Sequence, residues 1–271
     1  MLIDTHCHLN FQAFEPDLEA VIKRAQTAGV TKIIIPGSDL TNSQKAIELA
    51  EKYAGIYAAV GIHPHHAIQI QNLEKTRQKL LHLCESALDR KVVAIGECGL
   101  DYHEYQITKY PENKITPKVK QLQKKLFKVH LQVAKKLKLP LIIHNRQAHD
   151  DILKLLNSQF SIGQFPKGVF HCFSGNQAFL RQVLERGFYV GIDANITYSH
   201  GLQGLAKKIP LERLVLETDA PFLTPQPNRS QRNEPKNVKI IVQYLAELLN
   251  VSAEKIAQTT TINARRLFKL C

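Results

Sequence analysis

Short, nearly continuous apolar runs rich in Val and Ile recur along the chain, at residues 2–5, 32–36, 56–62, 92–96, 139–143, 168–170, 188–192 and 213–216. Runs of this kind suit strands buried on both faces, as in a parallel sheet covered by helices. Helical patterns fill the intervals. Thr41-Asn42-Ser43-Gln44 reads as a capping box with Thr41 as the N-cap, and Thr116-Pro117 pairs an N-cap with a proline at the first helical position. After it, Leu122, Leu126, Val129, Val133 and Leu137 recur at helical spacing, while eight lysines between Lys118 and Lys138 fill much of the remainder, as a solvated outer face would. Strand–helix alternation repeated over 271 residues predicts an α/β fold, a (β/α)8 TIM barrel forming one domain over 1–271. A doubly wound open sheet is the second choice, weakened because no GxGxxG follows the first strand. Two connections, 103–117 and 220–235, are long for such a barrel and are expected to serve function.

Composition narrows the setting. Apolar residues make up 44% and charged residues 22%, as in an ordinary folded domain. The chain opens without a basic, apolar leader, and no apolar stretch has the length to span a bilayer, so a soluble cytoplasmic protein without membrane contact is expected. Five cysteines without a CxxC pair argue against a disulfide framework and a structural zinc site. A net charge of +12 favours polyanionic partners, nucleic acid among them. Nothing in the sequence calls for an obligate protein partner.

The candidate chemistry sits at the ends of the runs. His6 and His8 follow the first, two residues apart and therefore on one face, with Cys7 turned the other way. His63 ends the third run, Glu97 the fourth, His144 the fifth, His171 the sixth and Asp219 the eighth. Barrel active sites lie at the C-terminal ends of strands, so these groups converge on one mouth. Unrelated structural histidines would scatter, as His82 and His149 do. Four imidazoles and two carboxylates exceed one tetrahedral ion and suit two ions sharing a bridging carboxylate, an arrangement that holds both oxygens of a phosphate displacement.

The chain resembles the TatD family of metal-dependent deoxyribonucleases. The resemblance rests on Asp4-Thr5-His6-Cys7-His8-Leu9, Gly61-Ile62-His63-Pro64-His65, Gly96-Glu97-Cys98-Gly99-Leu100-Asp101-Tyr102, Ile143-His144-Asn145-Arg146, His171-Cys172-Phe173-Ser174-Gly175, Glu217-Thr218-Asp219-Ala220-Pro221, Arg232-Asn233-Glu234-Pro235 and the closing stretch from Asn263 to Phe268. It implies that His6, His8, Glu97 and Asp219 hold one divalent ion, and that Glu97, His144 and His171 hold the other. It further implies that Asp219 serves as general base toward the attacking water and that His63 contacts substrate. DNA, taken at single-stranded ends by 3′-to-5′ exonuclease action, is the implied substrate. The chain departs from the family at Asn10, at Asn145 and Gln147 beside His144, and at His130, where a Gln is usual; none is a proposed ligand.

Other residues carry two readings. Arg146, Arg229 and Arg232 suit phosphate binding or structural pairing. Glu217 orients a ligand or is a satisfied interior carboxylate. Asp101 takes a turn or hydrogen-bonding role, Asp193 and Asn195 rank below the six ligands, and Cys98 and Cys172 are expected to pack inertly. Magnesium, zinc, manganese, iron and nickel all match such ligands. A hydrolase of small esters, lactones or amides is the alternative activity, and a non-catalytic nucleic-acid-binding protein the alternative class.

Overall fold

The computed structural model describes residues 1–87, 91–105, 114–161 and 163–270. Eight strands, β1 (Leu2–Asp4), β2 (Val30–Pro36), β3 (Ile56–Val60), β4 (Val92–Asp101), β5 (Leu141–Arg146), β6 (Gly168–Phe170), β7 (Tyr189–Ile192) and β8 (Leu214–Leu216), pair in parallel and in chain order. The helices are α1 (Leu18–Thr27), α2 (Leu40–Lys52), α3 (Leu73–Ala87), α4 (Pro117–Leu137), α5 (His149–Gln159), α6 (Gln177–Glu185), α7 (His200–Ala206), α8 (Val238–Leu249) and α9 (Ala253–Phe268). The expected (β/α)8 barrel is the fold of this chain.

Each layer follows from the pleat. Alternate side chains of the strands face inward, where Ile3, Ile34, Ala59, Ala94, Ile142, Val169 and Val215 pack together. Ala264, Leu267 and Phe268 of α9 close this interior from the N-terminal end of the strands. Asn263 fastens α9 there by donating to the Leu211 and Leu214 carbonyls at 2.6 and 2.8 Å. The outward-facing set, with Ile33, Ile35, Val60, Ile95, Ile143 and Phe170 among it, packs against the helices.

The sheet closes through the residues that carry the chemistry. Thr5 N–H donates to the Leu216 carbonyl at 3.0 Å, Asp219 N–H to the His6 carbonyl at 2.8 Å, and His8 N–H to the Ala220 carbonyl at 2.8 Å. The first and last strands are thus stitched at the level of His6, His8 and Asp219.

Several local expectations shift. The N-cap of α2 is Asp39, whose carboxylate accepts from Asn42 N–H at 2.7 Å, two residues before Thr41. Thr116 caps α4 as expected, accepting from Val119 N–H at 3.2 Å. Strand β4 extends beyond residue 96 to Asp101, with a break in its register against β5 between Ile95 and Cys98, so Glu97 lies within the strand at an irregularity. His144 likewise lies within β5, followed by Asn145 and Arg146. Of the long 103–117 connection, positions 106–113 lie outside the described residues, as does Cys271. On α4, Lys124 pairs with Asp151 at 2.7 Å and Lys136 with Glu85 at 3.8 Å, which fits a solvated outer face.

Candidate active site

The six expected ligands meet at the C-terminal mouth of the barrel. Glu97, only 4% exposed, stands at the centre and directs one oxygen to each side. Its Oε2 lies 3.4 Å from His6 Nε2 and 3.7 Å from His8 Nε2. Asp219 Oδ1 is 3.4 Å from each of those nitrogens, which are themselves 3.2 Å apart. On the other side, Glu97 Oε1 lies 2.8 Å from His144 Nδ1 and 2.8 Å from His171 Nε2, and these two nitrogens are 3.2 Å apart.

Those spacings test whether the site fits a metal. Donors about 2.1 Å from a tetrahedral ion stand about 3.4 Å from one another. The five separations measured among His6, His8, Glu97 and Asp219 run from 3.2 to 3.7 Å and bracket that value. The second group, Glu97, His144 and His171, makes a tighter triangle, and the set of imidazole nitrogens and carboxylate oxygens matches the chemistry of a divalent cation. The residues fit the group.

The chain holds these donors in place in different ways. Asp219 adopts φ +54°, a left-handed conformation uncommon outside glycine, which turns its carboxylate back over the barrel. Buried Asp4 fixes both strand ends, accepting from Thr218 Oγ1 at 2.6 Å, Thr218 N–H at 3.0 Å and His6 N–H at 3.2 Å. His6 stacks on His171 with centroids 4.0 Å apart, and His8 stacks on Phe11 at 4.3 Å. The Nδ1 atoms of His6, His8 and His171 have no hydrogen-bond partner among the described residues, so packing fixes these rings. His144 is held chemically instead, with Nε2 3.2 Å from Asp101 Oδ2.

Asp101 is a hub. Its Oδ2 also accepts from Tyr105 OH at 2.8 Å and lies 3.0 Å from His65 Nε2. Gln123 brackets its backbone, accepting from Asp101 N–H and donating to its carbonyl, both at 2.9 Å. Gly99, two residues before it, must be glycine: at φ +147°, a Cβ there would collide with the His144 carbonyl.

Electrostatics follow this packing. Burial, aided by the neighbouring His171 imidazole, pushes His6 down to about 4. Burial acts to raise Glu97, but the imidazoles of His171 and His63 and hydrogen bonds from His144 and His171 outweigh it and hold the carboxyl well below its ordinary range. Burial likewise opposes ionisation of Asp219, and a hydrogen bond with His8 together with the neighbouring His6 imidazole overcomes it, leaving the carboxyl below its usual value. For His144 the burial effect is reversed by Asp101 and Glu97, which push the imidazole up to about 10.

Beneath the donors, burial pushes the Glu217 carboxyl well above its ordinary value. Its Oε1 accepts from Cys172 N–H and lies 3.9 Å from His171 Nδ1, while its Oε2 accepts from Thr5 Oγ1 at 3.3 Å. Gly191 leaves room for it, since a Cβ would come within 2.6 Å of Oε2. Glu217 is a satisfied interior carboxyl that supports the segment after β6.

The remaining expectations separate. His63 joins the cluster: its Nδ1 accepts from His65 N–H at 3.2 Å, which leaves Nε2 as the protonated nitrogen, 3.5 Å from Glu97 Oε1. Arg146 stands exposed at the rim, donating to Tyr105 OH at 2.9 Å. Arg232 does not join them. Its guanidinium donates to Asp17 at 2.8 and 2.9 Å, to Glu234 at 3.3 Å and to the Ala13 carbonyl, and it covers the Phe14 ring, so its donors are engaged in structure rather than free for phosphate. Arg229 lies over the Tyr198 ring at 3.6 Å. Asp193 caps a turn by accepting from Asn195 N–H at 2.7 Å. Cys98 is buried, and Cys172 lies at φ +42° with its sulfur accepting from Asn195 Nδ2 at 3.7 Å.

Sequence reasoning gave no supporting role to Asp4, Gln123 or His130. The signal was present, a polar group inside an otherwise apolar stripe. Asp4 stands in the first apolar run, and Gln123 and His130 are buried on the inner face of α4.

A parallel eight-stranded barrel with a histidine–carboxylate cluster of this kind at its mouth defines a metal-dependent hydrolase. The model of the TatD related DNase family matches residues 3–269, and the chain belongs to that family. It is 40% identical to the metal-dependent hydrolase YabD of Bacillus subtilis over 272 residues, covering 100% of both chains. It is 34% identical to the 3′-5′ ssDNA/RNA exonuclease TatD of Shigella flexneri over 275 residues, covering 98% of each. The crystal structure of YJJV, a TatD homologue from Escherichia coli K12, superposes with a TM-score of 0.87 at 33% identity, covering 100% of this chain and 98% of that one. The enzyme is a hydrolase acting on ester bonds. Among the described residues, no helix is long and apolar enough to cross a membrane.

Proposed function

We propose that this hydrolase is a deoxyribonuclease that removes nucleotides from single-stranded DNA ends in the 3′-to-5′ direction, using two divalent ions. The observation that carries this reading is the central carboxylate of Glu97, which sets one oxygen beside His6 and His8 and the other beside His144 and His171. The relatives described as ssDNA/RNA exonucleases support the choice of substrate, and the +12 net charge suits a polyanion.

In this reading His6, His8, Glu97 and Asp219 hold one ion, and Glu97, His144 and His171 hold the other. The ions supply Lewis-acid polarisation of the phosphate oxygens and acidify coordinated water. Asp219 takes the proton from the attacking water: at 15% exposure its carboxylate is the more accessible of the two in the cluster, and the histidines keep it ionised. His63 presents Nε2–H toward the scissile phosphate. Arg146, at the rim, contacts the flanking phosphate. Asp101 accepts the Nε2 proton of His144, so that an ion taking the place of the Nδ1 proton beside Glu97 would find that nitrogen as its ligand. The unpaired thiols of the described cysteines suit a cytoplasmic setting.

The test is digestion of 5′- and 3′-labelled single-stranded oligonucleotides, with and without chelation, beside small ester, lactone and amide substrates. Stepwise shortening from the 3′ end, lost on chelation and restored by a divalent cation, is expected. Turnover of the small compounds with no attack on DNA would overturn the nuclease assignment.

A further inference from the structure

Three large apolar side chains among the described residues are conspicuously exposed: Met1 at 63%, Ile262 at 55% and Phe222 at 51%. Met1 and Ile262 belong to the N-terminal end of the barrel, where Thr261 donates to the Met1 carbonyl. Phe222 stands alone at the mouth, three residues after Asp219.

Isolated exposed phenylalanines are ordinary on protein surfaces. The support beneath this one is not. Phe222 N–H donates to the Asp219 carbonyl at 3.0 Å. Asn233, fully buried, clamps the same segment from below, its amide donating to the carbonyls of Thr218 at 2.9 Å, Phe222 at 2.7 Å and Leu223 at 3.4 Å. Asn233 N–H donates to the Pro221 carbonyl at 3.1 Å. The ring meets its neighbours edge-on, with centroids 6.2 Å from His8 and 6.2 Å from Phe11, at 71° and 74°. Phe11 in turn lies flat on His8. A fixed backbone thus holds a half-exposed aromatic ring directly beside His8, a proposed ligand of the first ion.

The geometry points to Phe222 as a stacking platform for an unpaired nucleobase next to the phosphate being cleaved. This inference rests on the nuclease reading and adds a subsite to it. A base carries an apolar planar face and is tethered to the phosphate, so a phosphate seated at the cluster brings its base to the neighbouring ring. Stacking of this kind is tolerant of sequence. It also selects for single strands, because a base inside a duplex already has both faces covered and must be unpaired and unstacked to reach the platform.

The test compares the metal-loaded wild type with Phe222→Ala, Phe222→Leu and Phe222→Trp. The substrates are single-stranded oligonucleotides ending in 2-aminopurine, the same strands ending in an abasic residue, and blunt duplexes. Wild type and Phe222→Trp are expected to quench the 2-aminopurine on binding. Phe222→Ala is expected to lose the quench and to raise KM about tenfold on the base-containing strand, with the larger share of the change in KM rather than kcat. On the abasic strand the two proteins should converge, and the preference for single strand over duplex should narrow in the variant. Phe222→Leu keeps apolar area without a ring and should behave as the alanine variant does. Unchanged KM and an intact quench in Phe222→Ala, with DNA still cut, would overturn the platform and leave the nuclease reading standing. A wild-type enzyme that turns over only small esters would overturn both.

Discussion

The two ends of this barrel are made of opposite materials. At the N-terminal end, Ile3, Ile34, Ala59, Ile142 and Val215 meet Ala264, Leu267 and Phe268 in an apolar plug. At the mouth, Asp4, His6, Glu97, Asp101, His171 and Glu217 are all buried, and Asp219 and Cys172 sit in left-handed backbone. Buried carboxylates and imidazoles are costly unless paired, and left-handed non-glycine residues add strain. The plug supplies stability, and the mouth draws on it to hold buried imidazoles and carboxylates at ligand spacing.

The sharpest way to break that contrast is to neutralise the mouth. Asp219→Asn should cost about a thousandfold or more in kcat, while the melting temperature of the metal-free protein falls only slightly, because the contacts with His8 and His6 that hold the carboxyl ionised are weakened. Steady-state kinetics and a thermal scan on the same preparation check this. Retained turnover would remove Asp219 as the base, and a large drop in melting temperature would undo the division of labour.

The opposite substitution should behave oppositely. Phe268 is fully packed against the barrel interior, so Phe268→Ala leaves a cavity costing about 3–5 kcal/mol. Urea unfolding reads that loss, and the kcat per folded molecule should match wild type. A stability change under about 1 kcal/mol would mean that α9 relaxes into the void and that the plug is not the stabilising end.

This segregation explains how much was legible in the sequence. Strands buried on both faces announce themselves as Val/Ile runs, and ligands at strand ends break those runs with His or Glu, so the barrel and its six donors could be read off. The extent of β4 could not, because Glu97, Cys98 and Gly99 do not look like strand residues, yet β5 pairs with the strand again from Cys98 through Asp101. The partner of Arg232 was equally invisible: Asp17 lies 215 positions away in sequence and meets it only through closure of the barrel. Phe222 was not singled out within the 220–235 connection, since its placement is decided by the clamp that Asn233 makes.

His130 carries the contrast between the two ends into the helix layer. It is buried, its Nε2 accepts from Ile62 N–H at 3.0 Å, and its Nδ1 donates to the Leu126 carbonyl at 2.9 Å. Accepting from Ile62 requires the neutral ring, and burial lowers its pKa from 6.5 to about 4. The unfolded chain therefore takes up this proton before the folded chain does. Stability from His130 is full above about pH 6.5 and is lost as pH falls toward about 4, by about 3 kcal/mol in all. Denaturant unfolding at pH 7.5 and pH 5 should show a steeper decline for wild type than for His130→Gln, which can still accept from Ile62 without titrating. Parallel pH profiles for the two proteins would remove His130 as the source.

Within the mouth itself, the two sides of Glu97 are held differently, and Asp101 is where they part. His6 and His8 rely on ring packing, whereas His144 has its Nε2 hydrogen against Asp101 Oδ2 at 3.2 Å. A carboxylate in that position fixes the tautomer and raises the basicity of the coordinating nitrogen, and its loss typically weakens metal binding about 10- to 100-fold. Asp101→Asn keeps an oxygen that can accept the hydrogen but removes the charge, so the loss should lie near the lower end of that range and fall on one ion. Titration of metal into the apoprotein against a chelating dye should then show one site weakened and the other, bounded by His6, His8 and Asp219, close to wild type. Equal weakening of both sites would mean that Asp101 acts on Glu97 rather than on His144. Unchanged binding at both would mean that packing alone orients every ligand and that the hydrogen bond is incidental.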